Sequence, residues 1–141
     1  TMLLLAVADL HYDLRKFDWL AAMAQFADMV IIAGDHLEIA STVARSTQAI
    51  LVEKYFQKIE QATNLVVSSG NHDLDAKDSH GEMAAQWLGH NRYRGIHTDG
   101  DAFLVKDTLF TICPWIDGEG QRQAQHKRFA NDALKPRECW V

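Results

Sequence analysis

At 141 residues, 48% of them hydrophobic and 23% charged, the chain has the length and balance of one soluble domain, which speaks against disorder and against membrane residence. Its net charge of −5, from 14 basic and 19 acidic residues, offers no basic face of the kind a duplex binder uses to release counterions, so nucleic acid is not an expected partner. Two cysteines, Cys113 and Cys139, do not make a disulfide framework, and a reduced, cytoplasmic protein is the default expectation.

Residues 2 to 8 form an unbroken apolar run that Asp9 ends. No basic residue precedes it, so it reads as a strand covered on both faces of a parallel sheet rather than as a secretory leader. Leu14, Phe17, Leu20, Met23 and Ala27 recur at helical spacing, which predicts an amphipathic helix over about 15–27. Met29 to Ala33 is a second buried strand. Ser41 or Thr42 can cap a long helix reaching about Ala62, with Val43, Ile50, Leu51, Tyr55 and Ile59 on its inner face.

Residues 64 to 68, NLVVS, are the third strand. EMAAQWL after Gly81 reads as a short helix, and GIHTD, AFLVKD and LFTICPW read as shorter strands, the last two joined by a tight turn near Asp107. Residues 119–133 are polar and helical, and ECWV begins another strand. Cys113 is expected to face the core, and His90 the surface. Strand, helix, strand, helix, strand is the order of an α/β layer with a parallel sheet. Such sheets gather their sites in the loops at the carboxyl ends of the strands.

Those three loops carry ADLHYD, AGDHLE and SGNHD. Carboxylate oxygen, imidazole nitrogen and amide oxygen together suit Mn, Fe, Zn or Ni, whereas a thiolate zinc site would need cysteines that are absent here. A carboxylate can bridge two cations, and Asp35 is the central candidate. Paired cations acidify a shared water and clamp a phosphoryl oxygen. His72 would then be free to protonate a leaving alkoxide. Singly, each motif is also ordinary turn chemistry; three in a row after three apolar strands are hard to explain that way. A plain nucleotide-binding module is disfavoured, because no Gly-x-Gly-x-x-Gly or P-loop follows the first strand.

DLH at 9–11, GD at 34–35 and GNHD at 70–73 resemble the first three blocks of the calcineurin-like metallophosphoesterases. The resemblance implies a layered α/β sheet with flanking helices, metal-dependent hydrolysis of small phosphate esters, and two divalent cations. Residue by residue, it implies Asp9 and His11 on the first metal, Asp35 bridging, Asn71 on the second, His72 as general acid, and Glu38 orienting His72. GDHLEIA in place of Gly-Asp-Arg-Gly, and Asp73 where protein phosphatases have Glu, point to a phosphodiesterase or small-molecule phosphatase. Asp73 itself is expected to brace the turn.

The later histidine blocks of that family are not recognisable, so the chain reads as a single domain over 1–141 that stops before the carboxyl-terminal strands. One filled cation position and one weak one are therefore expected, with His36, His80, His97 or His126, or a neighbouring subunit, as the sources that remain for further ligands. A half-sheet leaves an open strand edge, which predicts a homo-oligomer. The alternative function is a weakly active or inactive metal-binding remnant that folds as such an assembly.

Overall fold

The computed structural model describes residues 1–133 and 139–141. Three parallel strands, β1 (Leu4–Val7), β2 (Met29–Ala33) and β3 (Asn64–Ser68), form a sheet in the order β1-β2-β3. The register sets Leu4 opposite Met29, and Met29 opposite Asn64. Parallel neighbours need long crossovers. These are α1 (Leu14–Met23), extended by a 3-10 turn over Ala24–Phe26, and α2 (Arg45–Glu60).

Helix α1 starts where Asp13 accepts the Arg15 N–H at 3.1 Å, and it buries Phe17 and Leu20. Helix α2 begins two or three residues later than the Thr42 or Ser41 cap would place it, and its inner face is rotated. Gln48, Val52, Phe56 and Ile59 point inward, whereas Ile50 is 57% exposed. A single polar residue explains the rotation. The Gln48 amide accepts the Glu38 N–H at 2.8 Å and donates to the carbonyls of Glu38 and Val43, so the helix turns a glutamine inward to pin the loop after β2. The main core joins α1, α2 and the sheet through Phe17, Leu20, Ile32, Val52, Phe56 and Leu65.

Beyond β3 a 3-10 turn (Asn71–Asp73) leads to a short antiparallel pair, β4 (Ala76–Lys77) and β5 (Met83–Ala84). The helix expected over EMAAQWL is thus strand in its first half, with α3 (Gln86–Gly89) in its second. GIHTD contributes one bridge rather than a strand: His97 lies parallel to Val66. Strands β6 (Ala102–Val105) and β7 (Thr108–Thr111) form a hairpin whose turn uses Lys106 at φ 53°. Helix α4 (Glu119–Ala133) follows, and β8 (Cys139–Trp140) pairs parallel with β7. Glu138, which opens the expected ECWV strand, lies outside the described residues.

Two expectations fail on burial. β1 is not covered on both faces: as an edge strand it leaves Ala6 exposed. Cys113 is exposed instead of facing the core, because the chain leaves the sheet after Ile112, which takes the buried position.

Candidate metal centre

The carboxyl ends of β1, β2 and β3 lie along one edge, and the loops that leave them are laced together by backbone. The N–H groups of Asp9, His11 and Tyr12 donate to the carbonyls of Gly34, Asp35 and His36 at 3.2, 2.9 and 2.9 Å. These bonds continue the β1–β2 pairing past the end of the sheet. They require an unusual backbone: Asp9, His11, Tyr12 and Asp35 all lie at φ between 48° and 55°. That left-handed region is sparsely used by residues with side chains, and Asp, Asn and His tolerate it best.

Two glycines let the second and third loops close on each other. A Cβ on Gly34 would stand 3.0 Å from the Gly70 Cα, and one on Gly70 would stand 2.1 Å from Asp35 Oδ1 and 2.4 Å from Asp35 N. Only hydrogen fits at position 70. In the space so created, Asp35 Oδ1 accepts the His72 N–H at 3.0 Å.

Within this frame Asp9, His11 and Asp35 each aim one donor atom into a space where all lie within 4.8 Å of one another. His11 Nε2 stands 3.9 Å from Asp9 Oδ1 and 3.9 Å from Asp35 Oδ2, too far for hydrogen bonds. Donor atoms that share one transition-metal ion at about 2.1 Å stand about 3–4 Å apart, so the spacing and donor types fit a divalent cation.

A second group joins the first through His11. His11, Glu38 and His72 also bring donor atoms within 4.8 Å. Glu38 lies between the two rings, with Oε2 3.5 Å from His11 Nδ1 and Oε1 3.6 Å from His72 Nδ1, and the rings meet edge to face at 4.7 Å. The Ala40 N–H bonded to Glu38 lowers its pKa; partial burial opposes this, and the nearby imidazoles add to the lowering. Glu38 thus faces two histidines, where the sequence suggested one.

Asn71 is exposed at the head of its turn. Asp73 is fully buried and ties loop three to loop two, accepting from the N–H groups of His36, Leu37 and Gly70 and meeting His36 Nδ1 at 2.9 Å. Burial pushes the Asp73 carboxyl up, but the His36 imidazole and those N–H donors outweigh it, so its pKa is lowered. Trp87 Nε1 donates to the Asp73 carbonyl at 2.9 Å, and the Arg45 guanidinium donates to the carbonyls of His72 and Leu74. Neither Arg45 nor Gln48 carried a sequence signal, since nothing in a motif marks a polar residue that holds a loop from a distant helix.

Among the histidines considered as further ligands, His36 is taken up by Asp73 and packs against Phe56 and Trp87, and His97 stacks on Phe103 at 3.6 Å. Among the described residues, neither these nor His80 and His126 join the two groups able to hold an ion. His90 is exposed.

A family model for the calcineurin-like phosphoesterases matches residues 2–131. The chain belongs to that family. The match spans all three loops of this phosphoesterase and both groups able to hold an ion. Membership carries the general activity of the family, metal-dependent hydrolysis of phosphate esters, as the coarse functional assignment. No curated protein is a significant match.

Proposed function

We propose that this phosphoesterase hydrolyses phosphodiesters or small phosphomonoesters at a dinuclear metal site, within the phosphodiesterase-like part of its family. The observation that carries this reading is the convergence of Asp9, His11 and Asp35 within 4.8 Å on loops whose backbone is already set by hydrogen bonds to one another. Asp9 and His11 would hold the first cation, Asp35 would be shared, and Asn71 would serve the second. Ions of the Mn, Fe, Zn or Ni kind suit these donors, and when bound they supply Lewis acidity toward water and phosphoryl oxygen.

The chain's own groups do the rest. Glu38 faces both Nδ1 edges at 3.5 and 3.6 Å, His11 Nε2 is turned toward Asp9 and Asp35, and His72 is the group left to give a proton to the leaving oxygen. Asp35→Asn is expected to lower hydrolysis of an aryl phosphodiester with added Mn²⁺ more than His72→Ala, whose loss is about 10²-fold as for a general acid. Full activity in Asp35→Asn would overturn the mechanism.

A second reading is favoured by one observation: both ion-holding groups among the described residues share His11, which leaves Asp35 and Asn71 for the second position. In that reading one cation binds tightly, the other weakly, and activity is low. Metal analysis after dialysis would give one equivalent per chain; two tightly held equivalents would dismiss it.

The same proposal includes self-association. Leu3 and Asp9 direct their backbone groups toward the β2 side, so strand alternation turns those of Leu4, Ala6 and Ala8 to the open edge. Ala6→Pro, which removes an N–H from that edge, should shift sedimentation toward monomer. No described helix is long and apolar enough to cross a membrane. A cytoplasmic location stays part of this reading, supported by the sparse cysteines.

A further inference from the structure

Glu38 and His72 stand on different loops, and the 3.6 Å between Glu38 Oε1 and His72 Nδ1 is too long for a hydrogen bond, so the pair does not hold itself together. Backbone contacts hold it instead. Glu38 has both of its backbone polar groups taken by one side chain: its N–H donates to Gln48 Oε1 at 2.8 Å, and its carbonyl accepts from Gln48 Nε2 at 3.0 Å. The Ala40 N–H donates to Glu38 Oε1 at 2.9 Å and aims the carboxylate. His72 is also held from both sides. Its N–H donates to Asp35 Oδ1 at 3.0 Å, and its carbonyl accepts from Arg45 Nη2 at 3.0 Å.

Arg45 and Gln48 belong to the same turn. They lie three residues apart at the start of α2, which puts them on one face, about 4.5 Å apart along the axis. Gln48 is fully buried, and the Arg45 guanidinium reaches the Leu74 carbonyl as well as that of His72. Val52, Phe56 and Ile59 fix the helix in the main core. A single rigid turn therefore holds the backbone of both members of the pair. Among the described residues, neither Arg45 nor Gln48 belongs to a group able to hold an ion.

We propose that Arg45 and Gln48 are positioning residues for proton donation by His72. The first turn of α2 is a clamp that sets the His72 imidazole against Glu38 and keeps it aimed at the leaving oxygen. This assignment rests on the phosphoesterase reading for the group that receives the proton, and on the hydrogen bonds of α2 alone for how His72 is held. A general acid matters only where the leaving oxygen needs a proton. Loss of the clamp therefore slows esters of weakly acidic alcohols and spares esters whose anion leaves unaided, whereas a turn that only stabilised the fold would affect both alike.

Methyl phenyl phosphate and methyl p-nitrophenyl phosphate, assayed with Mn²⁺ on one sample, differ in that need, since p-nitrophenolate leaves readily without a proton and phenolate does not. The ratio of the two rates cancels any change in folded fraction. Arg45→Met and Gln48→Leu should each lower kcat for the phenyl ester about tenfold or more, with its KM and the nitrophenyl rate within about threefold. Arg45→Lys, which keeps a donor for the His72 carbonyl, should recover most of the loss, and Arg45→Gln replaces any variant that does not fold. Added to His72→Ala, Arg45→Met should lower the phenyl rate no further. In the metal-free chain, the NMR order parameter of the His72 ring should fall in Arg45→Met and in Gln48→Leu, while the His97 ring, stacked on Phe103, stays ordered. Equal losses on both esters, no loss on either, or unchanged His72 ring order overturns the proposal, as does an unmodified chain that hydrolyses only the nitrophenyl ester. Ring order lost in both variants of a chain that hydrolyses neither ester supports the clamp and defeats the phosphoesterase reading alone.

Discussion

The loops after β1, β2 and β3 and the segment from Pro114 to Ala133 both fix their side chains in place, but by different means. In the first region the backbone does the placing: the loop N–H groups bond to the carbonyls of the neighbouring loop, and Gly34 and Gly70 meet at backbone distance. In the second, side chains do it: Ser69 and Asp117 hold Trp115, Arg122 donates to the Ile116 carbonyl, and Arg128 to the Gly100 carbonyl. A backbone-built site should survive changes to its ligands and fail when its glycines change. A side-chain-built site should show the reverse.

The hardest test of that contrast is Gly70→Ala. Its Cβ would sit 2.1 Å from Asp35 Oδ1 and 2.4 Å from Asp35 N, so the loop must move; about 3 kcal/mol or more of stability and tight Mn²⁺ binding should both be lost, read by denaturant melts and metal titration. Next comes Asp73→Ala, which strands the buried N–H groups of His36, Leu37 and Gly70. At about 1–3 kcal/mol for each unsatisfied group, with partial relaxation, a loss near 3 kcal/mol is expected.

Asp73 also sets an acid limit. Its folded pKa is lowered, so its stabilisation is present above the unfolded carboxylate value and is lost as pH falls through the folded one. Stability should therefore decline below about pH 4, and Asp73→Asn should flatten that decline in pH-dependent melts. Arg45→Met removes donors to the carbonyls of His72 and Leu74 and should cost about 1–3 kcal/mol. The smallest effect belongs to Gly118→Ala in the second region. There the nearest atoms belong to the mobile end of Glu82, at 3.3 Å, and the change should stay within about 0.5 kcal/mol. A large loss there with a small one at Gly70 would reverse the contrast.

The same division marks what was legible in the sequence. Met29–Ala33, Asn64–Ser68 and Glu119–Ala133 match their expected limits, because unbroken β-branched runs and a long polar stretch between breakers leave few alternatives. The inner face of α2 was not legible: periodicity weighs average hydrophobicity, and Gln48 is buried for its hydrogen bonds to Glu38 and Val43. Asp9, His11, Asp35, Glu38 and His72 could be placed at one sheet edge from their positions after strands. That Glu38 would stand between two imidazoles could not, since it depends on side-chain directions set by distant packing.

The left-handed backbone at Asp9, His11 and Asp35 has a consequence for how variation at this edge is to be interpreted. Side chains that tolerate φ near +50° and side chains that donate to cations overlap heavily: Asp, Asn and His belong to both sets. A library of variants sorted for folding alone would therefore retain much of the motif without any selection for chemistry. Tyr12, at φ 54° and packed on the main core, is the member outside that overlap. In such a sort its identity is set by packing against conformational strain, and it is there that folding and catalysis would separate first.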